Sequence, residues 1–192
     1  MDIGTNSAVA APAAAPINWR HTLELWAFGM AKVPLIPFIR PRVRVVSSDR
    51  YEISVALRRR TSNQVGSMYF GAIVMGPEMV PAAHSLVIAR SMGRLASFVT
   101  RQVSGEFLSA AKSDVFFRSD SGPEIQAAIE RAMATSAPST ARVKVVAFCP
   151  AQPQKPVARF EFELSVKLGK PVKAVPLAPY AGHSHTVQAQ EN

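Results

Sequence analysis

Trp19, Leu23, Trp26, Met30 and Val33 recur at helical spacing, which predicts an amphipathic helix over residues 18–33 that Pro34 brings to an end. Its apolar positions are expected to pack on a core; the alternative is a helix that meets a lipid surface or a partner. The period then changes from helical to alternating. Val43 and Val45 alternate with Arg42 and Arg44, and Tyr51, Ile53, Val55 and Leu57 alternate with Glu52, Ser54, Ala56 and Arg58. Both segments read as strands with one buried face. Ser47-Ser48-Asp49-Arg50 between them has turn chemistry, so the pair reads as a hairpin. Residues 61–68 read as a loop. From Tyr69 to about Arg90 the chain is almost continuously apolar, broken only by Glu78 and His84, and predicts a helix buried on all sides. Pro77 and Pro81 either bend this helix or mark a fresh start near Pro77.

Strands are expected at 97–111, 114–119, 142–148 and 157–168, with a short helix from 123 to 134 opened by Pro123 and Glu124. The last strand is the cleanest. Phe160, Phe162, Leu164, Val166 and Leu168 share one face, and Arg159, Glu161, Glu163, Ser165 and Lys167 share the other. The order is helix, two strands, a long apolar helix, then four strands with a helical insertion. This is an α+β layout in which one antiparallel sheet wraps around a central helix. Such a sheet keeps an open edge and an apolar flank, so a homodimer is expected. Residues 1–16 read as a disordered leader, 17–170 as the domain and 171–192 as an irregular tail.

Composition narrows the class. With 48% hydrophobic residues in 192, the chain is not of the disordered type. A single cysteine, Cys149, excludes an internal disulfide and a cysteine-built metal cluster, and an intracellular, cytoplasmic protein is expected. His183 and His185 are expected to be solvated in the tail, and neither a metal nor a cofactor is expected. No membrane span is expected either. The stretch from Leu23 to Ile39 is apolar, but Glu24, Lys32, Pro34 and Pro37 interrupt it.

The net charge of +9 would attract any polyanion. Seven arginines between positions 40 and 60 stand against Asp49 and Glu52 alone. No nucleic-acid-binding motif accompanies them, so a nucleic-acid partner is not expected.

Glu78 is the outstanding candidate for chemistry, as the only acid between Glu52 and Glu106. In an apolar setting its pKa should rise, which suits a general base near neutral pH; the alternative is a helix cap or an ion pair. Asn63, Gly66, Ser67 and Gly71 supply a turn and a helix entry, whose free amides can hold an oxyanion. Arg101, Lys112 and Arg118 either meet phosphates or face water. Cys149 and His84 read as packing residues.

The segment R-R-R-T-S-N-Q-V-G-S-M-Y-F-G-A (58–72) resembles the hotdog fold family catalogued only as a domain of unknown function. It is similar to acyl-CoA thioesterases of the phenylacetyl-CoA type, and the likeness covers roughly residues 17–168. Those enzymes carry an Asn, then His-Gly-Gly at the start of the central helix, then an acid. Asn63 matches the Asn, Tyr69, Phe70 and Gly71 fall on His-Gly-Gly, and Glu78 falls on the acid. The resemblance implies hydrolysis of acyl-CoA or acyl-carrier thioesters. Glu78 would activate water or attack the carbonyl, the Phe70 amide would polarise that carbonyl, and Asn63 would orient water or substrate. Arg60, Gly66, Ser67, Met68, Arg101 and Lys112 would contact substrate. The site would lie across a homodimer, or a dimer of dimers, with Glu78 and the Asn63 loop from opposite subunits. Tyr69 in place of His, and Pro77 before Glu78, depart from the pattern. They leave a non-catalytic acyl-CoA-binding protein as the alternative.

Overall fold

The computed structural model describes residues 15–181. Most of the expected leader, and His183 and His185, lie outside them. The elements are α1 (Trp19–Lys32), α2 (Leu35–Ile39), β1 (Arg42–Val46), β2 (Tyr51–Val55), α3 (Phe70–Ser91), β3 (Arg94–Phe107), β4 (Val115–Ser119), α4 (Gly122–Thr135), β5 (Ser139–Phe148) and β6 (Pro156–Pro171). All six strands join one antiparallel sheet in the order β1-β2-β4-β5-β6-β3. The long apolar helix α3 packs on it and α4 lies beside α3 over β5 and β6. This is the α+β architecture expected from the order of elements, and it is hotdog-like, as the resemblance implied.

α3 is one continuous helix of 22 residues, with no fresh start at Pro77. Pro77 and Pro81 are both buried inside it. Each lacks an N–H, so the carbonyls of Ile73 and Pro77 lose their usual helical donors. Gly76 sets the helix close to the sheet: a Cβ there would lie 2.3 Å from the Phe117 ring. By length and composition α3 could cross a bilayer, but most of it is buried within the chain.

Three expectations are corrected. α3 is not buried all round. Phe70, Glu78, Ala82, Leu86 and Arg90, with Val74 half-buried, form an outward stripe at steps of four residues. β2 is not half-buried: Glu52 and Ser54 are as inaccessible as Ile53 and Val55. The register places Glu52 opposite Arg118, whose Nε donates to Glu52 Oε2 at 2.6 Å. Arg118 also lies over the Phe148 ring and Arg44 over Phe116, and these rings pack on each other. A layer of arginines and phenylalanines thus covers the sheet face that alternation assigned to water. Lastly, α1 packs through the wrong side of its predicted stripe. Thr22 and Gly29 are its buried residues, whereas Trp19, Leu23, Met30 and Val33 are exposed. Thr22 Oγ1 accepts from Val43 N–H, and a Cβ on Gly29 would lie 2.6 Å from Pro37 Cδ. Close approach to β1 and α2 thus fixes the rotation of α1.

β3 forms one edge of the sheet and pairs only with β6 among the described residues. Its side chains Leu95, Val99, Val103 and Phe107 are exposed. Residues beyond β6 have no regular structure up to Tyr180, but they are tied down. Val172 N–H donates to Gly93 O, Ser48 N–H to Ala178 O and Tyr180 N–H to Asp49 Oδ1.

Candidate functional site

The loop before α3 is built around Asn63. Its Oδ1 accepts from the amides of Val65 (3.1 Å) and Ser67 (3.0 Å), and its Nδ2 donates to Ser67 Oγ (2.8 Å). Such side-chain mimicry of a turn is what asparagine does well. Gly66 closes the turn at φ +76°, a conformation glycine adopts without strain. Ser67 and Met68 are buried, and Met68 N–H donates to the Ala111 carbonyl. Lys112 is therefore brought next to this loop. Thr61 anchors the other arm: its Oγ1 donates to Ala56 O, and its carbonyl accepts from Tyr69 N–H.

Tyr69 is the N-cap of α3, with extended backbone and no side-chain capping bond; no acidic residue stands in the first turn. The first helical amides to find partners are those of Ala72 and Ile73, which both donate to Tyr69 O. The amides of Phe70 and Gly71 precede them, and among the described residues no acceptor meets either one. Helix starts leave such donors open, and the helix dipole favours negative charge there. The Tyr69 ring lies against Gly71, where a Cβ would be 2.6 Å from Tyr69 Cε1. Phe70 packs on Phe107 of β3, with ring centroids 5.2 Å apart.

Glu78 shares the outward stripe with Phe70. Its side chain reaches the surface of the single chain, yet the protein around it displaces enough water to hold its pKa above the ordinary carboxylate value. At 1.5 Å per residue the eight positions from Phe70 to Glu78 span about 12 Å. Glu78 therefore stands two turns along α3 from the open amides, not beside them. Arg60 donates to the carbonyl of Phe38 at 3.5 Å and sits beside α2, on the surface. Arg101 is distant. It falls at a register irregularity of β3, six residues from Phe107, or about 20 Å along an extended strand. The structure thus gathers Asn63, Gly66, Ser67, Met68, Tyr69, Phe70, Gly71 and Lys112 at one end of α3. It does not gather Glu78 or Arg101 with them within one chain. Two shallow surface hollows lie elsewhere, one beside Ser48 and Pro123 and one beside Met133 and Ser136. Phe107 is the residue that sequence reasoning passed over. Its place in the strand expected at 97–111 was visible, but its contact with Phe70 needs the tertiary fold.

His84 is a core residue. It is fully buried, stacks beside Tyr51, and its Nε2 lies 3.0 Å from Ser47 O, so the neutral ring donates there. Burial pulls its pKa from 6.5 down to about 4, against the carboxylates of Asp49 and Asp120. The unfolded chain binds this proton near pH 6.5 and the folded chain only near pH 4. Stability is therefore full above pH 6.5 and falls as the pH drops between these values. The expected loss is about 3 kcal/mol. Denaturant unfolding of wild type and His84→Gln at pH 7 and pH 4.5 checks this, because the neutral amide should flatten this part of the dependence. Equal slopes would show that His84 does not carry it.

A family model described as "Domain of unknown function (DUF4442)" matches residues 23–166, most of the chain. The chain belongs to this family. Solved structures share its fold. One is a candidate thioesterase from Shewanella oneidensis, at 13% identity and TM-score 0.66, covering 77% of this chain and 98% of that one. A protein of unknown function from Chlorobaculum tepidum matches at 10% identity and TM-score 0.68, with 80% and 98% covered. A mutant thioesterase from Pseudomonas aeruginosa matches at 14% identity and TM-score 0.56, with 77% and 94% covered. No curated protein matches the sequence. At these identities the likeness establishes the fold.

Proposed function

We propose that this DUF4442 protein is a thioesterase that hydrolyses acyl-CoA or acyl-carrier thioesters as a homodimer. The observation that carries the reading is the start of α3. Two consecutive amides, Phe70 and Gly71, stand open there with no capping side chain and no acid to compete for them. They can hold the oxyanion that forms when a thioester carbonyl becomes tetrahedral. Glu78 supplies the base. Its carboxylate takes a proton from water as the water oxygen attacks the carbonyl carbon, and collapse of the intermediate expels the carrier thiolate. In the variant of this chemistry that the resemblance also allows, the carboxylate attacks first and water cleaves the resulting anhydride.

The distance between the two halves of the site argues for a second copy. The open edge of β3, with Val99 and Val103 exposed, supports pairing of two β3 strands about a two-fold axis. That arrangement carries Glu78 of one subunit toward the helix start of the other and brings the partner's copy of β3 alongside. Asn63 acts here by shaping the loop, since its side chain is already engaged within it. Lys112 and, from the strand edge, Arg101 offer charge to a phosphate-bearing carrier, while Arg60 is turned to α2. The structural relatives named as thioesterases support the same substrate class.

A second reading rests on Tyr69 and Phe70, which are both exposed and bulky at the helix start. Rings placed there narrow the approach to the amides and suit a protein that holds an acyl chain without cleaving it. The test is release of free thiol from a panel of acyl-CoAs of rising chain length, run beside equilibrium binding of the same compounds. Turnover with a chain-length optimum supports the enzyme. Saturable binding without thiol release supports the second reading, and neither binding nor turnover overturns both.

A further inference from the structure

The outward face of α1 is a feature that the proposed site does not use. Trp19, Leu23 and Met30 stand one above another on α1, 53%, 57% and 70% exposed. They form a line about 16 Å long at the rise of an α-helix. Leu35 and Phe38 of α2, also more than half exposed, continue apolar surface past the turn at Pro34. Single exposed apolar residues are ordinary on protein surfaces, but large ones in a row mark a contact. The core did not reject them for lack of hydrophobicity. α1 and α2 meet at Gly29 and Pro37, and that close contact turns the larger side chains outward.

Charge decides what kind of surface they face. Glu24 is the only acid from Ala15 to Val46, and Arg20 holds it at 3.3 Å. Cations gather around the far end. Lys32 lies in the last turn of α1, Arg40 follows α2, and the Arg60 contact with the Phe38 carbonyl brings Arg58, Arg59 and Arg60 alongside. All five are exposed, and among the described residues none has an ion-pair partner. We propose that α1 and α2 dock the protein on an anionic lipid surface, with Trp19, Leu23, Met30, Leu35 and Phe38 in the interfacial layer and the five cations among the head groups. An in-plane helix with apolar anchors and a basic rim has this chemistry.

A second copy of the chain fits this face less well. A two-fold contact would set the same cations against one another. The edge open to a copy is β3, at the opposite side of the sheet from β1, on which α1 packs. Docking is peripheral: α1 has 14 residues, short of the ~20 needed to cross a bilayer.

The test is flotation of the full-length protein with vesicles of phosphatidylcholine alone and of phosphatidylcholine containing about one-third phosphatidylserine, at low and high salt. The double variant Leu23→Glu/Met30→Glu runs beside wild type. Both positions are solvent-exposed and outside the proposed active site, and an unchanged thermal midpoint shows that the variant folds. A second variant, Leu35→Glu/Phe38→Glu, serves if the first does not. The expected result is binding to the anionic vesicles that drops about tenfold or more at high salt and about tenfold or more in the variant. Absence of binding overturns the proposal. Equal binding by wild type and variant also overturns it, because net charge alone would then account for the attraction. A variant that changes oligomeric state but not vesicle binding overturns it in favour of a protein contact.

Discussion

Arg118→Ala is expected to destabilise the fold by about 3 kcal/mol or more, the scale of a buried ion pair broken on one side. Glu52 is only 3% exposed, and the direct cross-strand bond from Arg118 Nε, at 2.6 Å, neutralises it. Without that partner the carboxylate keeps its charge in a poorly hydrated place, reached by water only through the gap that Arg118 leaves. Arg44, on the neighbouring strand, offsets part of the loss through its charge, but its Nε is already given to Ser54 Oγ. Loss of stacking on Phe148 adds to the effect. Urea unfolding of Arg118→Ala measures it. The double variant Glu52→Leu/Arg118→Met should recover most of the stability, since two apolar groups leave no orphaned charge. A loss below about 1 kcal/mol in the single variant would show that the pair behaves as a solvent-screened one.

Glu78→Gln is expected to lower the rate constant for thioester hydrolysis by a factor of about 100 or more, the usual contribution of a positioned general base. Glutamine keeps the size and polarity of the side chain but cannot take a proton. Because the residue lies on the surface stripe of α3, its loss should leave the unfolding midpoint unchanged. Affinity for substrate should change little, which places the effect in kcat. The pH profile offers a second readout. Desolvation raises the Glu78 pKa, so activity falls on the acid side at a higher pH than an ordinary carboxylate would give. An equally active variant, or an acid limb that survives the substitution, would remove Glu78 from the mechanism.

Much of this fold could be read from hydrophobic period alone, and the exceptions share one cause. β6 alternates as expected because α3 and α4 cover one face and water the other. Alternation fails for β2 because Arg118, Phe116 and Phe148 of β4 and β5, far along the chain, join Arg44 of β1 in covering Glu52 and Ser54. The period along α1 identified a helix correctly but not its orientation. Thr22 and Gly29, which carry little hydrophobic signal, turn inward because they allow close approach. The loop chemistry of Asn63 and Gly66 was legible, since an asparagine followed three residues later by glycine is a turn with a local mechanism. That Asn63 spends its side chain on the turn was not, because the spacing of residues does not say which hydrogen bonds are made. Likewise Glu78 was expected in an apolar interior, whereas it lies on the exposed stripe of α3, which the helix's apolar composition does not reveal.

The outer edge of β3 has a consequence for which substitutions the chain tolerates. At a two-fold contact every substitution occurs twice, and near the axis a residue meets its own copy. In the proposed homodimer, a new charge at whichever of Val99 or Val103 lies nearest the axis would face an identical charge, and a new bulky group there would compete with itself for one space. Exposed in the single chain, these positions should drift less freely than their accessibility suggests. In that dimer the far edge of the sheet, beyond β1, would be under no such constraint of self-complementarity.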